Sequence, residues 1–441
     1  MQAGSRTRRW CAVAASVAVL GFAGACGDDD GDGGTAATTS GEQAAQVPED
    51  TSFQLQIGNL VPLTGDLSPF GPPGRKAADL AVEQLNAAAR EAGVEARAAV
   101  EHADTESNPQ AAVQAARQLI SGGARCLAGP WASSETIAVA ESVAARQETP
   151  IVSPSSTDAG ISELDDDGFV FRTAPSDTLQ ARALADVVER ELGGTDATLS
   201  LAARNDAYGQ GFIERFQAAW EEKGGRTTGP VLYDPEQPSY NSEAGEIVAG
   251  RPGAWVIIDF FETYGRMGAS LVRTGSFDAG RLFTADGLAS DRIPDTIPAR
   301  ALVGARGTRP GTPESGEVIR AFARIYADAG GAPRQTFDAQ NFDATMLCYL
   351  AALAAGSDDG DDIAEQMQAV SSPPGTKFTL LNLAEGIDLI ARGEEVDFDG
   401  VTGPIDFDAN GDPTAATYEI YRYDPQGVLQ VEGQFEARAA E

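Results

Sequence analysis

Ser133 and Ser134 stand where "AGPWASSETIAVAESVAAR" (128–146) passes from a short apolar run, through Gly129, Pro130 and Trp131, into an apolar-periodic helix. Serine is a good N-cap because its oxygen accepts from the orphan amides of the first turn. The same helix end, with its free N–H groups and positive dipole end, is a ready anion site. The two readings are compatible, so the serines cap a helix, hold a carboxylate, or do both. A nucleophilic role fits poorly, because neither G-x-S-x-G nor S-x-x-K surrounds them and no base stands nearby. The chain has a single histidine, His102, which excludes every multi-histidine metal site. Its surroundings, "RAAVEHA", make it a residue at the end of a strand. "DFDANGD" (406–412) has the Asp, Asn and Gly spacing of a calcium loop, but Thr417 occupies the twelfth position, where a bidentate Glu is needed. That segment reads as a hairpin turn.

Charge narrows the partners further. With 66 acidic against 32 basic residues and a formal charge of -34, the chain repels phosphate backbones and anionic headgroups, so no nucleic-acid partner is expected. No cofactor and no metal are expected either. Arg6, Arg8 and Arg9 precede an apolar run that ends in "FAGAC", small residues directly before Cys26. Residues 1–25 therefore read as an export signal. Residues 26–52 are acidic, Gly-rich and poor in large apolar side chains, too little to bury, and read as a disordered tether. Cys126 and Cys348 are left either to pair in an oxidising compartment or to lie buried as small hydrophobes.

About 390 residues remain, enough for two lobes. Past the tether, strand-like runs alternate with amphipathic stretches: "FQLQIGNLV", a helix over 75–90, "RAAVEHA", a helix over 109–121, "ARCLAG", the serine-led helix and "PIVS". A second cycle begins near Ser176 with a helix over 176–192, "TLSLAAR", a helix striped by Phe212, Ile213, Phe216 and Trp220, then "GAWVIIDF" and "RLFTADG". Helices over 315–329, 337–355 and 380–392 follow, ending in short strands around "GPIDFD" and "ATYEIYRYD". Such alternation predicts an α/β chain of two doubly wound lobes with parallel sheets. Ligands of open α/β sheets bind beyond the carboxyl ends of the strands. The loops found there, "VPLTGDLSPFG", "GPWASS", "VSPSST", "RNDAYGQG", "DFFETYG" and "TADG", supply hydroxyls, aromatic rings and isolated acids but few bases.

"PLTGDLSPFG", "GPWASS", "VSPSSTD", "FRTAPSD", "DAYGQGF" and "VTGPIDFDANGDP" follow one another in an order and spacing that resemble the type I periplasmic solute-binding proteins. The resemblance is to their leucine/isoleucine/valine-binding branch and covers 53–435. It implies two Rossmann-like lobes joined by three hinge crossovers, near Thr173, Ala301 and Thr417. Lobe 1 would be 53–173 plus 302–416, and lobe 2 would be 174–301 plus 417–441. The "FAGAC" segment resembles a lipobox, with Cys26 as the lipid-anchored residue. Carried over by position, Ser133 and the helix start would take a ligand carboxylate. Thr157 and the backbone of Ser155 would grip the carboxylate and ammonium, and Asp286 would accept from the ammonium. Tyr208 would close from the second lobe, Phe70 would wall the ligand's side chain, and Phe261 would face it from lobe 2. Trp131 would either line the cleft or fill space beneath its loop, and Phe260 is assigned to the core. The resemblance implies a non-enzymatic, monomeric receptor on the outer side of a membrane, handing a branched-chain or other apolar amino acid to an ABC permease. A sensor without transport, or a receptor for an amide, urea or aromatic acid, remains open.

Overall fold

The computed structural model describes residues 52–313 and 315–438. The export signal, Cys26 and all of the tether except its last residue lie outside the described residues. The first strand, β1 (Gln54–Val61), buries Leu55, Ile57, Leu60 and Val61 completely. It leads through α1 (Gly71–Glu91) to β2 (Arg97–Asp104), and through α2 (Pro109–Ser121) to β3 (Cys126–Ala128). Helix α1 begins four residues before the expected start, because prolines 72 and 73 suit a first turn that needs no N–H donor. Helix α2 starts where Asn108 accepts from the amides of Gln110 and Ala111, with Pro109 next. Next come α3 (Ser133–Val139), which continues as a wider turn through Ala140–Ala144, then β4 (Ile151–Ser153) and β5 (Val170–Arg172). These strands form an all-parallel sheet in the order β2-β1-β3-β4-β5.

The second cycle runs α4 (Asp177–Leu192), β6 (Thr198–Arg204), α5 (Ala207–Glu222), β7 (Arg226–Tyr233), α6 (Asn241–Ile247), β8 (Ala254–Ile258), α7 (Phe261–Thr274), β9 (Leu282–Thr284), α8 (Ala299–Leu302) and β10 (Arg306–Pro310). The chain then returns to the first lobe with α9 (Glu317–Asp328), α10 (Asp338–Ala355), α11 (Gly360–Ser371), β11 (Thr376–Phe378), α12 (Leu383–Ala391), β12 (Val396–Gly400) and β13 (Gly403–Pro404). It ends in a hairpin, β14 (Ala415–Tyr423) with β15 (Leu429–Arg438). The second sheet has seven strands in the order β15-β14-β10-β9-β8-β6-β7. Strand β14 runs antiparallel to β10, while β6 to β10 pair in parallel.

This pairing corrects one boundary. Arg306–Pro310 hydrogen-bonds to β9 and β14, so it belongs to the second sheet and the chain crosses back after Pro310 rather than near Ala301. "RGTRP" carries no apolar pattern, and its strand character comes from its two neighbours. Helix α11 and strand β15 were likewise not anticipated, the first because its acidic opening masks its apolar face.

Helix α10 is buried on all sides from Asp338 to Leu353. Its polar side chains are satisfied internally: Asn341 donates to Gly74 O at 2.8 Å, and Asp343 accepts from Val401 N and Thr402 N, each at 2.9 Å. Cys348 of this helix is disulfide-bonded to Cys126 of β3 across 222 residues. The bond joins the outgoing and returning segments of the first lobe. Residues 408–412 form a tight turn in which Asp408 accepts from the amides of Asn410 and Asp412, flanked by a Phe407–Pro413 bridge.

Candidate ligand-binding cleft

The loops beyond the strand ends of both sheets meet around a narrow, nearly filled cleft of about 10 Å³. From the first lobe, Leu67, Phe70, Trp131, Ser133, Ser155 and Phe337 line it. Tyr208, Phe260, Asp286 and Gly287 line it from the second.

Phe70 sits at the cap of α1, and its ring lies 6.5 Å from Trp131, 6.2 Å from Phe337 and 5.6 Å from Phe261. Trp131 serves both of its expected roles. Its ring borders the cleft and also packs on Gly74, where an added Cβ would come within 2.3 Å of it. The cap of α3 is Ala132, one residue earlier than expected, and Glu135 reaches back to the Ala132 amide at 3.0 Å. Ser133 is therefore the first helical residue. Its hydroxyl accepts from Asp158 N at 3.2 Å and keeps its own proton available at the cleft wall. Ser155 Oγ donates to Trp131 O at 2.7 Å, which fixes the two loops against each other.

Thr157 does not reach the wall. It is fully buried one layer below, where its carbonyl accepts from Asp177 N at 2.7 Å. Phe261 and Phe260 exchange their expected positions: Phe260 borders the cleft and stacks on Tyr208 at 5.0 Å, whereas Phe261 meets Phe70 outside the lining. Gly287 permits this stack, since a Cβ there would lie 2.9 Å from Phe260 and 3.0 Å from Tyr208. Phe337, which the sequence did not single out, holds a left-handed backbone at φ 71° and sets its ring edge-on to Trp131 at 6.3 Å. A bulky residue in that region is strained, and such strain collects at binding sites. No pattern in the sequence marks it.

The electrostatics are one-sided. Among the described residues Asp286 is the only charged one lining the cleft, and it accepts from Gln180 Nε2 at 2.7 Å and Tyr208 Oη at 3.4 Å. Burial pushes its carboxyl up to about 6. Asp177, at the start of α4, lies close enough to be pushed well above the ordinary value, first by burial and then by Asp286. Neither Asp177 oxygen has a hydrogen-bond partner among the described residues, and neither do Gln180 Oε1, Thr157 Oγ1 and Trp131 Nε1. Of these only Trp131 borders the cleft, and Thr157 lies close enough behind the wall to draw the Asp177 carboxyl down against its burial. A larger groove of about 310 Å³ beside β13 to β15 has no orphaned side chain among the described residues, and its Thr402 is paired with Asp343 and its Gln434 with Thr312 O. Among the described residues there is no metal-ligating cluster, and no helix is long and apolar enough to cross a membrane.

Residues 54–427 match the family model described as "periplasmic binding protein". The substrate-binding protein BasB of a chemotactic signal transduction system, from Halobacterium salinarum, is 26% identical over 383 residues, covering 85% of this chain and 88% of its own. The branched-chain amino acid transporter substrate binding protein LivJ from Streptococcus pneumoniae, solved with isoleucine, superposes with a TM-score of 0.70 at 19% identity over 88% of this chain and 100% of LivJ. A solute-binding protein of an ABC transporter from R. palustris, solved with benzoate, gives 0.66 at 18% identity over 88% of this chain and 98% of the other.

Proposed function

This chain belongs to the periplasmic binding protein family, and from that premise we propose that it is a non-enzymatic receptor that captures an apolar amino acid by hinge closure. The observation that carries the reading is the polarity of the cleft. Hydroxyls and the start of α3 stand on one wall, a buried carboxylate stands on the other, and no basic side chain lines either. A zwitterion satisfies both walls. Its carboxylate faces the Ser133 hydroxyl and the backbone of Ser155, its ammonium faces Asp286 with Asp177 behind, and Phe70, Trp131, Phe260 and Phe337 enclose an apolar side chain. Hydrogen bonds to charged groups contribute about 1.5 to 3 kcal/mol each, and each buried CH₂ adds about 0.8 kcal/mol. Closing the lobes excludes water and strengthens those bonds, which offsets the cost of ordering the hinge.

An ABC permease that receives the closed form, and a lipid anchor at Cys26 on the outer side of the membrane, complete the reading. A second reading, ligand sensing without transport, is favoured by the similarity to the chemotactic BasB protein. Loss of amino-acid uptake on deletion separates the two, since a pure sensor leaves uptake unchanged. An aromatic acid such as benzoate fits the rings but brings no cation to Asp286. A thermal-shift screen of amino acids, amides and aromatic acids, followed by calorimetry, tests the ligand class. Stabilisation by L-isoleucine, L-leucine or L-valine is expected, and stabilisation by benzoate or amides alone overturns it.

A further inference from the structure

Two contacts join the lobes at the lips of the cleft without bordering the space inside it. At one lip, Asp66 of the first lobe accepts from Arg204 Nη1 and Thr263 Oγ1 of the second, both at 2.8 Å. Asp66 is presented by a fixed loop, because Asp104 accepts from Leu63 N at 2.9 Å, Thr64 N at 3.1 Å and Thr64 Oγ1 at 2.7 Å. Gly65 is needed there: it sits at φ 82°, and a Cβ would meet Glu106 O at 2.2 Å. Arg204 is held independently within its own lobe by Asp206 at 2.5 Å and Asp259 at 3.8 Å. Its guanidinium also lies 3.9 Å over Phe260, the ring that stacks on Tyr208 in the cleft wall. When the lobes part, Arg204 therefore keeps two partners and Asp66 returns to water.

At the other lip the Asp158 carboxylate, from the loop that carries Ser155, lies against Gly211 of α5. A Cβ at Gly211 would stand 1.8 Å from Asp158 Oδ2. Asp158 cannot turn aside freely, since its Oδ1 caps Gly160 N at 3.0 Å. Gly211 lies inside a helix at an ordinary backbone conformation, so the helix itself gives no reason for glycine.

We propose that these contacts are a closure latch, in which Asp66 bridges Arg204 and Thr263 while the bare Gly211 admits Asp158, so that residues touching no ligand set the lifetime of the closed state. The proposal rests on the hinge-closure reading above. It is tested by calorimetry with L-isoleucine and by small-angle scattering with and without it. Gly211→Ala is expected to weaken binding about tenfold, Asp66→Asn about three- to tenfold, and Thr263→Val about two- to threefold. Asp158→Ala combined with Gly211→Ala should recover affinity relative to Gly211→Ala alone, which a purely structural role for the glycine does not predict. Affinities of Gly211→Ala and Asp66→Asn both within about twofold of wild type overturn the latch. If the wild-type chain binds neither L-isoleucine, L-leucine nor L-valine, the ligand reading fails, and the latch is then judged on the ligand-free protein. A larger radius of gyration for Gly211→Ala supports it, and identical radii overturn it.

Discussion

The two walls of the cleft are built on opposite plans. The first lobe's wall is neutral, and its two loops are tied to each other by Ser155 Oγ on Trp131 O and by Asp158 N on Ser133 Oγ. Behind it, the Cys126–Cys348 bond holds together a lobe whose chain leaves at β5 and returns only at α9. The wall of the second lobe carries a buried acid, with a second one close behind, and its sheet comes from a nearly continuous segment closed by a terminal hairpin. A neutral, braced wall suits the first capture of a carboxylate. An acidic wall has little reason to approach until a cation is present to neutralise it, which couples closure to the ligand's amine.

Removing the brace breaks the contrast most strongly. Replacing Cys126 and Cys348 together by Ser should lower stability by about 2 to 5 kcal/mol in denaturant unfolding, because the bond spans 222 residues; an unchanged midpoint shows that the first lobe needs no staple. On the acidic side, Asp286→Ala should cost at least tenfold in L-isoleucine affinity, roughly 1.4 kcal/mol, by calorimetry. Equal affinity removes Asp286 from the site. On the neutral side, Ser133→Ala should cost about fivefold, the size of one ordinary hydrogen bond of about 1 kcal/mol. A loss larger than that of Asp286→Ala reverses the assignment of the walls.

The smallest effect is in pH dependence. Burial raises Glu135 to about 7 and Asp343 to about 6 in the first lobe, and Asp286 to about 6 in the second. Raised carboxyl values mean that the folded chain holds protons the unfolded chain has already lost. The contribution is full below about pH 4 and fades as pH rises through about 6 to 7. The melting temperature should therefore fall between about pH 5 and pH 8, and Glu135→Gln should flatten part of that slope. A melting temperature that rises over this interval contradicts the burial of these groups as acids.

Much of the first lobe was legible because its elements are local. Pro109 behind Asn108, the apolar β1 and the serine-led α3 each follow from their own residues, and Ser133, Ser155, Tyr208, Asp286, Phe70 and Trp131 lie on the loops or helix starts that follow strands. Thr157 and Phe261 were misplaced by one layer or one residue, because a loop's sequence does not say which of two neighbouring side chains turns inward. Phe337 and Gln180 carried no signal, and Asp177 stood in "FRTAPSD" with no role attached, since each matters only for what lies across from it.

The sequence by itself determined the alternation of strands and helices, the parallel sheets and the poverty of basic groups in the loops, because periodicity and composition act within a few residues. Only the tertiary structure decided that β10 joins the second sheet, that Cys126 meets Cys348, and that Asp66 of one lobe reaches Arg204 of the other. Those pairings lie more than a hundred residues apart along the chain or depend on strand neighbours, and such distances close only when the whole core has condensed.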